Sequence, residues 1–301
     1  MQFDGILFFP LTPFGENGAV NEEALAAHVA SGVAHGAGGV FAACGTGEIH
    51  ALSAVEHAAV VRRSVEVVDG AVPVVAGAGG SVGTAIEQAR AARELGADAI
   101  LLLPPYLVSA PQRGLVAYVR AVAAAVEIPI IVYQRGTMVL SPESAAALAA
   151  LPQVVGIKDG AGDLGLMQQI VLAVRAVRGE DFTFFNGLPT AELTAAAYTG
   201  IGVPLYSSAA FAFVPEVADA FYKAFHTCDP LAGRLLAEFY DPLVRLRDRS
   251  PGYAVALVKA GARSRGVEVG PVRAPFVDLT SAEEAELASL IETGLSLAGK
   301  G

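Results

Sequence analysis

The sequence is poor in tryptophan, cysteine and basic residues, and each shortage limits what the chain can do. It has no Trp in 301 residues, and its two cysteines, Cys44 and Cys228, are too few for a disulfide framework. We therefore expect free thiols in a reducing compartment. Lys and Arg number 20 against 30 acidic residues, and the net charge of −10 argues against binding to nucleic acids or anionic membranes. Small molecules are the expected partners.

Long apolar runs are also missing, although 53% of the residues are hydrophobic. No stretch reaches the roughly 18 residues that a membrane span needs. The first residues, MQFDGILFFPLTPFG, lack the basic region and the small-residue cleavage site of a signal peptide. The sequence thus predicts a globular, cytoplasmic protein with a large core.

Short runs of apolar, β-branched and aromatic residues recur through the first two thirds of the chain. The eight runs are residues 6–10, 39–44, 72–77, 99–104, 129–134, 154–159, 182–187 and 201–208. Ala-rich helical segments separate them at the spacing of a strand-helix unit. Strands that are apolar on both faces lie between helices, so the pattern predicts an α/β fold with a parallel sheet. We favour a (β/α)8 TIM barrel over a doubly wound open sheet.

The first strand-to-helix turn argues against the open sheet. A sheet that binds a dinucleotide usually carries G-x-G-x-x-G there, whereas this chain has PLTPFGENGAV. The glycine-rich AGAGGSVG (76–83) has the wrong spacing, and we interpret it as a tight strand-to-helix loop rather than a phosphate site. Helical patterns replace strands after residue 210. We therefore predict a catalytic barrel over 1–225 and a C-terminal helical segment over 226–301.

Lys158 ends an apolar strand in VVGIKDGAGD (154–163), an unusual place for a long cation. The other lysines stand in polar or helix-like contexts: Lys223, Lys259 and Lys300. In a barrel the active site lies at the carboxyl ends of the strands. An apolar approach disfavours the ammonium form, so Lys158 could attack a carbonyl as a free amine and form a Schiff base. The alternative, favoured for a lone lysine, is a structural side chain that reaches solvent or pairs with Asp159.

Polar residues at the ends of other strands favour the catalytic interpretation of Lys158 over the structural one. Tyr133 ends the fifth run, and its phenol can relay protons during imine formation. The turn CGTGE (44–48) presents successive backbone N–H groups that suit a carboxylate, although a tight turn with Glu48 near a helix start is equally consistent. Together, these residues indicate an imine-forming enzyme that acts on a 2-oxo acid. The five histidines show no metal-ligand spacing, so we expect no metal site.

These residues resemble the class I aldolase superfamily of dihydrodipicolinate synthase and N-acetylneuraminate lyase. The likeness covers nearly the whole chain, from PLTPF (10–14) through the GTGE turn, IVYQR and GIKD to VGPVRAPF (269–276). The resemblance implies that Lys158 is the Schiff-base lysine and Tyr133 the proton-relay tyrosine. It also implies a homo-oligomer, a tetramer or a dimer, supported by the C-terminal helices.

The chain departs from the synthase pattern at three positions. Gly45 stands where the synthase turn has its first Thr, and Leu107 stands at the position of a relay tyrosine. Met138 stands where the synthase has an arginine, five residues after the tyrosine; here Arg135 follows Tyr133 by two residues instead. Dihydrodipicolinate synthesis is therefore disfavoured.

At these same positions the chain resembles the 5-dehydro-4-deoxyglucarate dehydratases. So do three further segments, FFNGLPTAE (184–192), YSSA (206–209) and GYAVALVKAG (252–261). This resemblance implies a decarboxylating dehydratase that acts on a sugar diacid and needs no cofactor. It implies that the carboxylate beside the ketone is held by Gly45, Thr46 and Gly47. It also implies that the hydroxyls or the distal carboxylate are contacted by Arg135, Asn186 and Ser207. The alternatives are a sugar-acid aldolase of the same superfamily and a non-catalytic barrel that binds sugar acids.

Overall fold

The structure is a computed structural model that describes residues 3–299. Within this range, eight parallel strands close into a barrel in chain order. The strands are β1 (Ile6–Phe8), β2 (Ala37–Ala42), β3 (Val74–Gly80), β4 (Ala99–Pro105), β5 (Ile130–Gln134), β6 (Val154–Asp159), β7 (Thr183–Asn186) and β8 (Leu205–Ser208). Each predicted apolar run overlaps one of these strands. The predicted TIM barrel is confirmed, and the open-sheet alternative is wrong.

A helix follows each strand. These helices are α1 (Glu22–Ala34), α2 (Ala54–Val68), α3 (Val82–Glu94), α4 (Gln112–Ala125), α5 (Pro142–Ala149), α6 (Leu164–Arg178), α7 (Ala195–Gly200) and α8 (Pro215–His226). Several begin at a capping side chain, as Ser53 does in a capping box with Glu56. The interpretation of residues 76–83 as a loop is wrong, because β3 continues to Gly80, Ser81 caps α3 directly and α3 begins at Val82.

The chain continues as helices after the barrel. They are α9 (Pro230–Leu235), a π-helical turn (Leu236–Tyr240), α10 (Asp241–Arg247), α11 (Tyr253–Ser264) and α12 (Ser281–Ala298). This confirms the predicted C-terminal helical part. Contacts within the chain define two compact units, Pro73–Ser207 and the pair of segments 3–72 and 208–299. The domain boundary at residue 225 stays a prediction.

The register of the central strands fixes the neighbours of Lys158. Tyr133 of β5 lies beside Lys158 of β6, and Lys158 in turn lies beside Phe185 of β7. The next residues along these strands, Gln134, Asp159 and Asn186, form a second row. Cys44 and Cys228 form no disulfide; Cys44 is buried and Cys228 is exposed. Within residues 3–299, no helix has the length and apolar character needed to cross a bilayer.

Candidate active site

Lys158 and Tyr133 form the centre of the candidate site in the unit Pro73–Ser207. Both side chains are 5% exposed. The Nζ atom of Lys158 lies 4.1 Å from the centroid of the Tyr133 ring. The Tyr133 hydroxyl donates to the carbonyl oxygen of Gly187 at 3.1 Å. The nucleophile and the proton relay predicted from the sequence are therefore neighbours in the fold.

Arg135 reaches the same phenol from a tight hairpin. The N–H groups of Arg135 and Met138 each donate to the other residue's carbonyl oxygen, at 3.0 and 3.1 Å. Gly136 allows this turn because its φ is +59°, a left-handed conformation that favours glycine. The hairpin directs Nη1 of Arg135 to the Tyr133 hydroxyl oxygen, where it donates at 3.1 Å.

Two cations therefore act on the Tyr133 phenol. Burial raises the pKa of Tyr133, but the charges and hydrogen bonds of Lys158 and Arg135 outweigh this, and the pKa lies below its usual range. A phenol with a lowered pKa gives up its proton more readily at neutral pH. Tyr133 is thus suited to exchange protons with an imine or its adjacent carbon.

Glycines on neighbouring strand ends leave room for this pair. A Cβ atom added at Gly187 would lie 2.7 Å from Cγ of Lys158, and one added at Gly160 would lie 2.9 Å from the Tyr133 hydroxyl oxygen. Neither glycine was identified as a functional residue from the sequence. The available signal was position, because each directly follows the polar residue that ends a strand.

A buried hydrogen-bond network supports the strand ends that carry this pair. Asp159 accepts from Nε2 of Gln134 at 2.7 Å and from the N–H of Ala161 at 2.9 Å, and its other oxygen accepts a very short hydrogen bond from Tyr198. The sequence offered Asp159 as a partner for Lys158, but the hydrogen bonds described for its carboxylate come from other groups. The network joins β5, β6 and α7.

Asn186 and Ser207 lie in the same unit. The Asn186 amide is fully buried and donates to the carbonyl oxygen of Ala191 and to Thr194 Oγ1, at 3.2 and 2.8 Å. Its oxygen accepts from the N–H of Leu188 at 3.2 Å. Ser207 Oγ donates to the carbonyl oxygen of Asn186 at 3.5 Å. The side chain of Asn186 thus holds the loop after β7, and its contact with substrate stays a prediction.

The CGTGE turn belongs to the other unit and follows β2. Gly45 is exposed, Thr46 is half-buried and Gly47 is buried. The N–H groups of Glu48 and Ile49 close the turn on the carbonyl oxygens of Gly45 and Cys44, both at 3.1 Å. The hydroxyl of Thr12, from PLTPF, donates to the carbonyl oxygen of Gly47 at 2.7 Å. The peptide planes of the turn are thereby fixed.

Among residues 3–299, no group of three or more His, Cys, Asp or Glu side chains is arranged to hold a metal ion.

Comparison with known proteins places these features in one family. A family model described as the dihydrodipicolinate synthetase family matches residues 2–294. A curated protein of Streptomyces griseus subsp. griseus, named "Probable 5-dehydro-4-deoxyglucarate dehydratase", is 54% identical over 295 residues, which cover 97% of this chain and 92% of the relative. A Variovorax paradoxus protein of the same name is 46% identical over 290 residues, with 96% and 94% coverage.

Solved structures agree with the sequence relatives. The crystal structure of dihydrodipicolinate synthase from Oceanobacillus iheyensis matches with a TM-score of 0.89 at 28% identity, covering 98% of this chain and 97% of that chain. The family predicted from the sequence is confirmed. With a family model across nearly its whole length and curated relatives at about half identity, the chain belongs to the dihydrodipicolinate synthetase family.

Proposed function

We propose that this protein is a 5-dehydro-4-deoxyglucarate dehydratase, which converts the sugar diacid into 2,5-dioxopentanoate, CO2 and water. The observation that carries the proposal is the buried Lys158 side chain, whose Nζ lies 4.1 Å from the centroid of the Tyr133 ring, with Arg135 hydrogen-bonded to the same phenol. This arrangement supports imine chemistry on a 2-oxo acid. The name of the curated relatives supports the choice of substrate, and it agrees with the subfamily interpretation of the sequence.

The reaction begins when Lys158 attacks the C5 ketone and water leaves to form an iminium. The iminium acidifies C4, so a C4 proton is lost and an enamine forms. The enamine electrons then expel the C3 hydroxyl as water, which leaves a C3–C4 double bond conjugated to the iminium. Tyr133 exchanges protons during these steps, and its lowered pKa suits that role.

Decarboxylation uses the same iminium. The bond between C1 and C2 is vinylogous to it, so its electron pair flows into the conjugated system as CO2 leaves. Protonation of the resulting dienamine and ketonisation of the C2 enol give the aldehyde. Hydrolysis then releases 2,5-dioxopentanoate and restores Lys158. No oxidant or reductant enters, because the imine accepts and returns every electron pair.

The remaining residues bind the two ends of the substrate in this proposal. The N–H groups of Gly45, Thr46 and Gly47 receive the carboxylate beside the ketone. Arg135, Asn186 and Ser207 contact the hydroxyls or the distal carboxylate. Of these three, Arg135 has the strongest support, because the residue is exposed and its guanidinium keeps donors beyond the one given to Tyr133.

Product identification tests the proposal. Incubation with 5-dehydro-4-deoxyglucarate, followed by mass spectrometry, should give 2,5-dioxopentanoate and CO2 in equal amounts. Pyruvate as the product would instead identify an aldolase of the same superfamily.

Trapping with borohydride tests the role of the lysine. Reduction in the presence of substrate should leave a covalent adduct on the peptide that contains Lys158. The Lys158→Ala variant should lose both the adduct and turnover, whereas Lys223→Ala, at an exposed lysine of α8, should keep both. A protein that forms no adduct and no product would be a non-catalytic barrel that binds sugar acids.

We also propose that the enzyme works as a homo-oligomer, a tetramer or a dimer, in the cytoplasm. Three consecutive apolar side chains after β4 support association, because Tyr106, Leu107 and Val108 are 73%, 81% and 50% exposed. Light scattering coupled to gel filtration measures the subunit number, and a monomeric mass would contradict this part of the proposal.

A further inference from the structure

Glu48, the last residue of the CGTGE turn, is a fully buried carboxylate with two strong partners. Its Oε1 lies 2.7 Å from Nζ of Lys259. Its Oε2 accepts a hydrogen bond from the backbone N–H of Arg273 at 2.9 Å. Lys259 comes from the dehydratase-like segment 252–261, and Arg273 comes from VGPVRAPF (269–276), which resembles the wider superfamily. The reaction chemistry assigns no role to either segment.

Lys259, on α11, is as deeply buried as Glu48. Its ammonium also donates to the carbonyl oxygen of Pro271 at 2.8 Å and lies 4.1 Å from the centroid of the Phe14 ring. Burial lowers the pKa of Lys259, and the charge of Glu48 opposes this effect. A buried ion pair often adds little to the free energy of unfolding, since apolar residues of the same size can stabilise a fold equally well. Its presence therefore calls for another explanation.

Arg273 extends the contact to the far side of the turn. Its guanidinium donates to the carbonyl oxygen of Ala51 at 2.8 Å and pairs with Glu56 in the first turn of α2. It also lies 4.0 Å from the centroid of the Phe14 ring. Arg273 thus holds both Glu48 and Ala51, which follows the turn.

The turn has a conformation that needs such support. Ala43 and Glu48 have φ of +49° and +57°, left-handed values that are uncommon for residues other than glycine. Each such residue costs roughly 1–3 kcal/mol and persists only where the surroundings enforce it. The two residues flank the stretch 45–47 that presents its N–H groups, with Cys44 between Ala43 and Gly45.

We infer that Glu48, Lys259 and Arg273 are positioning residues that fix the CGTGE turn so that its N–H groups meet the carboxylate beside the substrate ketone. The inference rests on the proposed function, in which that turn binds this carboxylate. The three residues act through the turn and touch no reacting atom. Their effect is therefore confined to ligands that carry the carboxylate.

Two ketones that differ only in this group test the inference. Pyruvate has a carboxylate beside its ketone, whereas methyl pyruvate has a neutral ester there. The concentration for half-maximal borohydride trapping on Lys158 is measured for both, with the full-length protein. In Glu48→Gln, we expect the value for pyruvate to rise roughly 10-fold or more, as for a lost hydrogen bond to a charged group. The value for methyl pyruvate should change less than about two-fold.

Two further variants separate positioning from folding. Lys259→Met alone leaves Glu48 charged and buried, so it can fail to fold. The double variant Glu48→Gln/Lys259→Met removes both charges, and it should show the same selective loss for pyruvate. Lys223→Met makes the same chemical change at an exposed lysine of α8, and it should match the wild type with both ketones.

The outcomes are distinct. Equal changes for pyruvate and methyl pyruvate, or no change for either, in folded Glu48→Gln and in the double variant would overturn the inference while leaving the proposed function intact. Absence of trapping with both ketones in the wild type would overturn the proposed function and this inference with it.

Discussion

A lysine in an apolar setting can serve chemistry or structure, and its neighbours decide which. Of the three lysines that the structure describes, Lys158 and Lys259 are buried and Lys223 is exposed. Lys158 lies against a phenol whose pKa it lowers, whereas Lys259 is paired with a buried carboxylate. Charge compensation marks Lys259 as structural, and the aromatic partner marks Lys158 as the candidate nucleophile.

The sequence singled out Lys158 and missed the burial of Lys259. Its interpretation of Lys259 as helical is correct, but GYAVALVKAG is apolar on almost every side, which is typical of a buried helix. That signal could have identified a second buried cation. Its partner could not have been found, because Glu48 is 211 positions away and only the fold brings them together.

The hydrogen bond from Arg135 makes a prediction about pH. Arg135→Met removes a cation that lowers the pKa of Tyr133, so that pKa should rise towards its ordinary value. If the phenolate accepts the proton, the rising limb of the pH profile of kcat/KM should move to higher pH. Arg93→Met, at an exposed ion pair with Glu127, is the matched control. If the rising limb of the pH profile is unchanged in Arg135→Met, Tyr133 is not the group that accepts this proton.

Gly187 makes a steric prediction. In Gly187→Ala, the new methyl group would lie 2.7 Å from Cγ of Lys158 and 2.9 Å from its Cε, so the lysine must move. Displacement of a catalytic group by about 1 Å can lower activity about 100-fold. Steady-state kinetics and borohydride trapping measure the loss. Gly200→Ala, where the methyl group meets no atom within 4 Å in the described chain, should retain activity.

At the scale of elements, strand order was predictable and strand ends were less so. Each strand was signalled by an apolar run between helical segments, because a parallel strand covered on both faces needs such residues. The glycine-rich end of β3 was interpreted as a loop, since glycine usually weakens a strand. Pairing with β4 overrides this preference, and Gly77 lies opposite Leu101 within the sheet.

The hydrogen bond between α7 and β6 predicts a loss of stability. Tyr198→Phe removes the hydroxyl that donates to the buried carboxylate of Asp159. We expect a cost of about 1–3 kcal/mol in the free energy of unfolding, measured by urea denaturation. Tyr118→Phe removes a hydroxyl that donates to the neutral carbonyl oxygen of Leu103, and about 0.5–1.5 kcal/mol is expected there. A smaller loss at Tyr198 than at Tyr118 would contradict this account.

At the scale of the whole molecule, Arg273 joins parts of the chain that are far apart in sequence. It pairs with Glu56, 217 positions earlier, and donates to the carbonyl oxygen of Gly18 at 2.6 Å. The hydrogen bond from Arg273 lowers the pKa of Glu56 from 4.5 to about 2. No local pattern signals such a link.

The lowered pKa of Glu56 predicts how stability depends on pH. A carboxyl group whose pKa falls on folding stabilises the protein above its unfolded pKa, and this contribution is lost as pH falls towards the folded pKa. The wild type should therefore lose stability between pH 5 and pH 2 in part through Glu56, and Arg273→Met should lose less. Urea midpoints at several pH values measure the difference.

The control for this pH dependence is a surface ion pair. Arg249→Met removes a bidentate pair with Glu286 in which both side chains are more than two-fifths exposed. Solvent screens such a pair, so its loss should leave the pH dependence close to that of the wild type. If stability falls with pH at the same rate in the wild type and in Arg273→Met, the pKa of Glu56 does not depend on Arg273.

The hairpin after β5 has a consequence for how relatives of this chain are compared. The synthase pattern has an arginine five residues after its conserved tyrosine, whereas this chain has Met138 at the corresponding distance from Tyr133. Yet Met138 and Arg135 are partners across a two-residue turn, so they are neighbours in space. Comparisons within this family should therefore consider positions 135 and 138 together, because they pair across the hairpin.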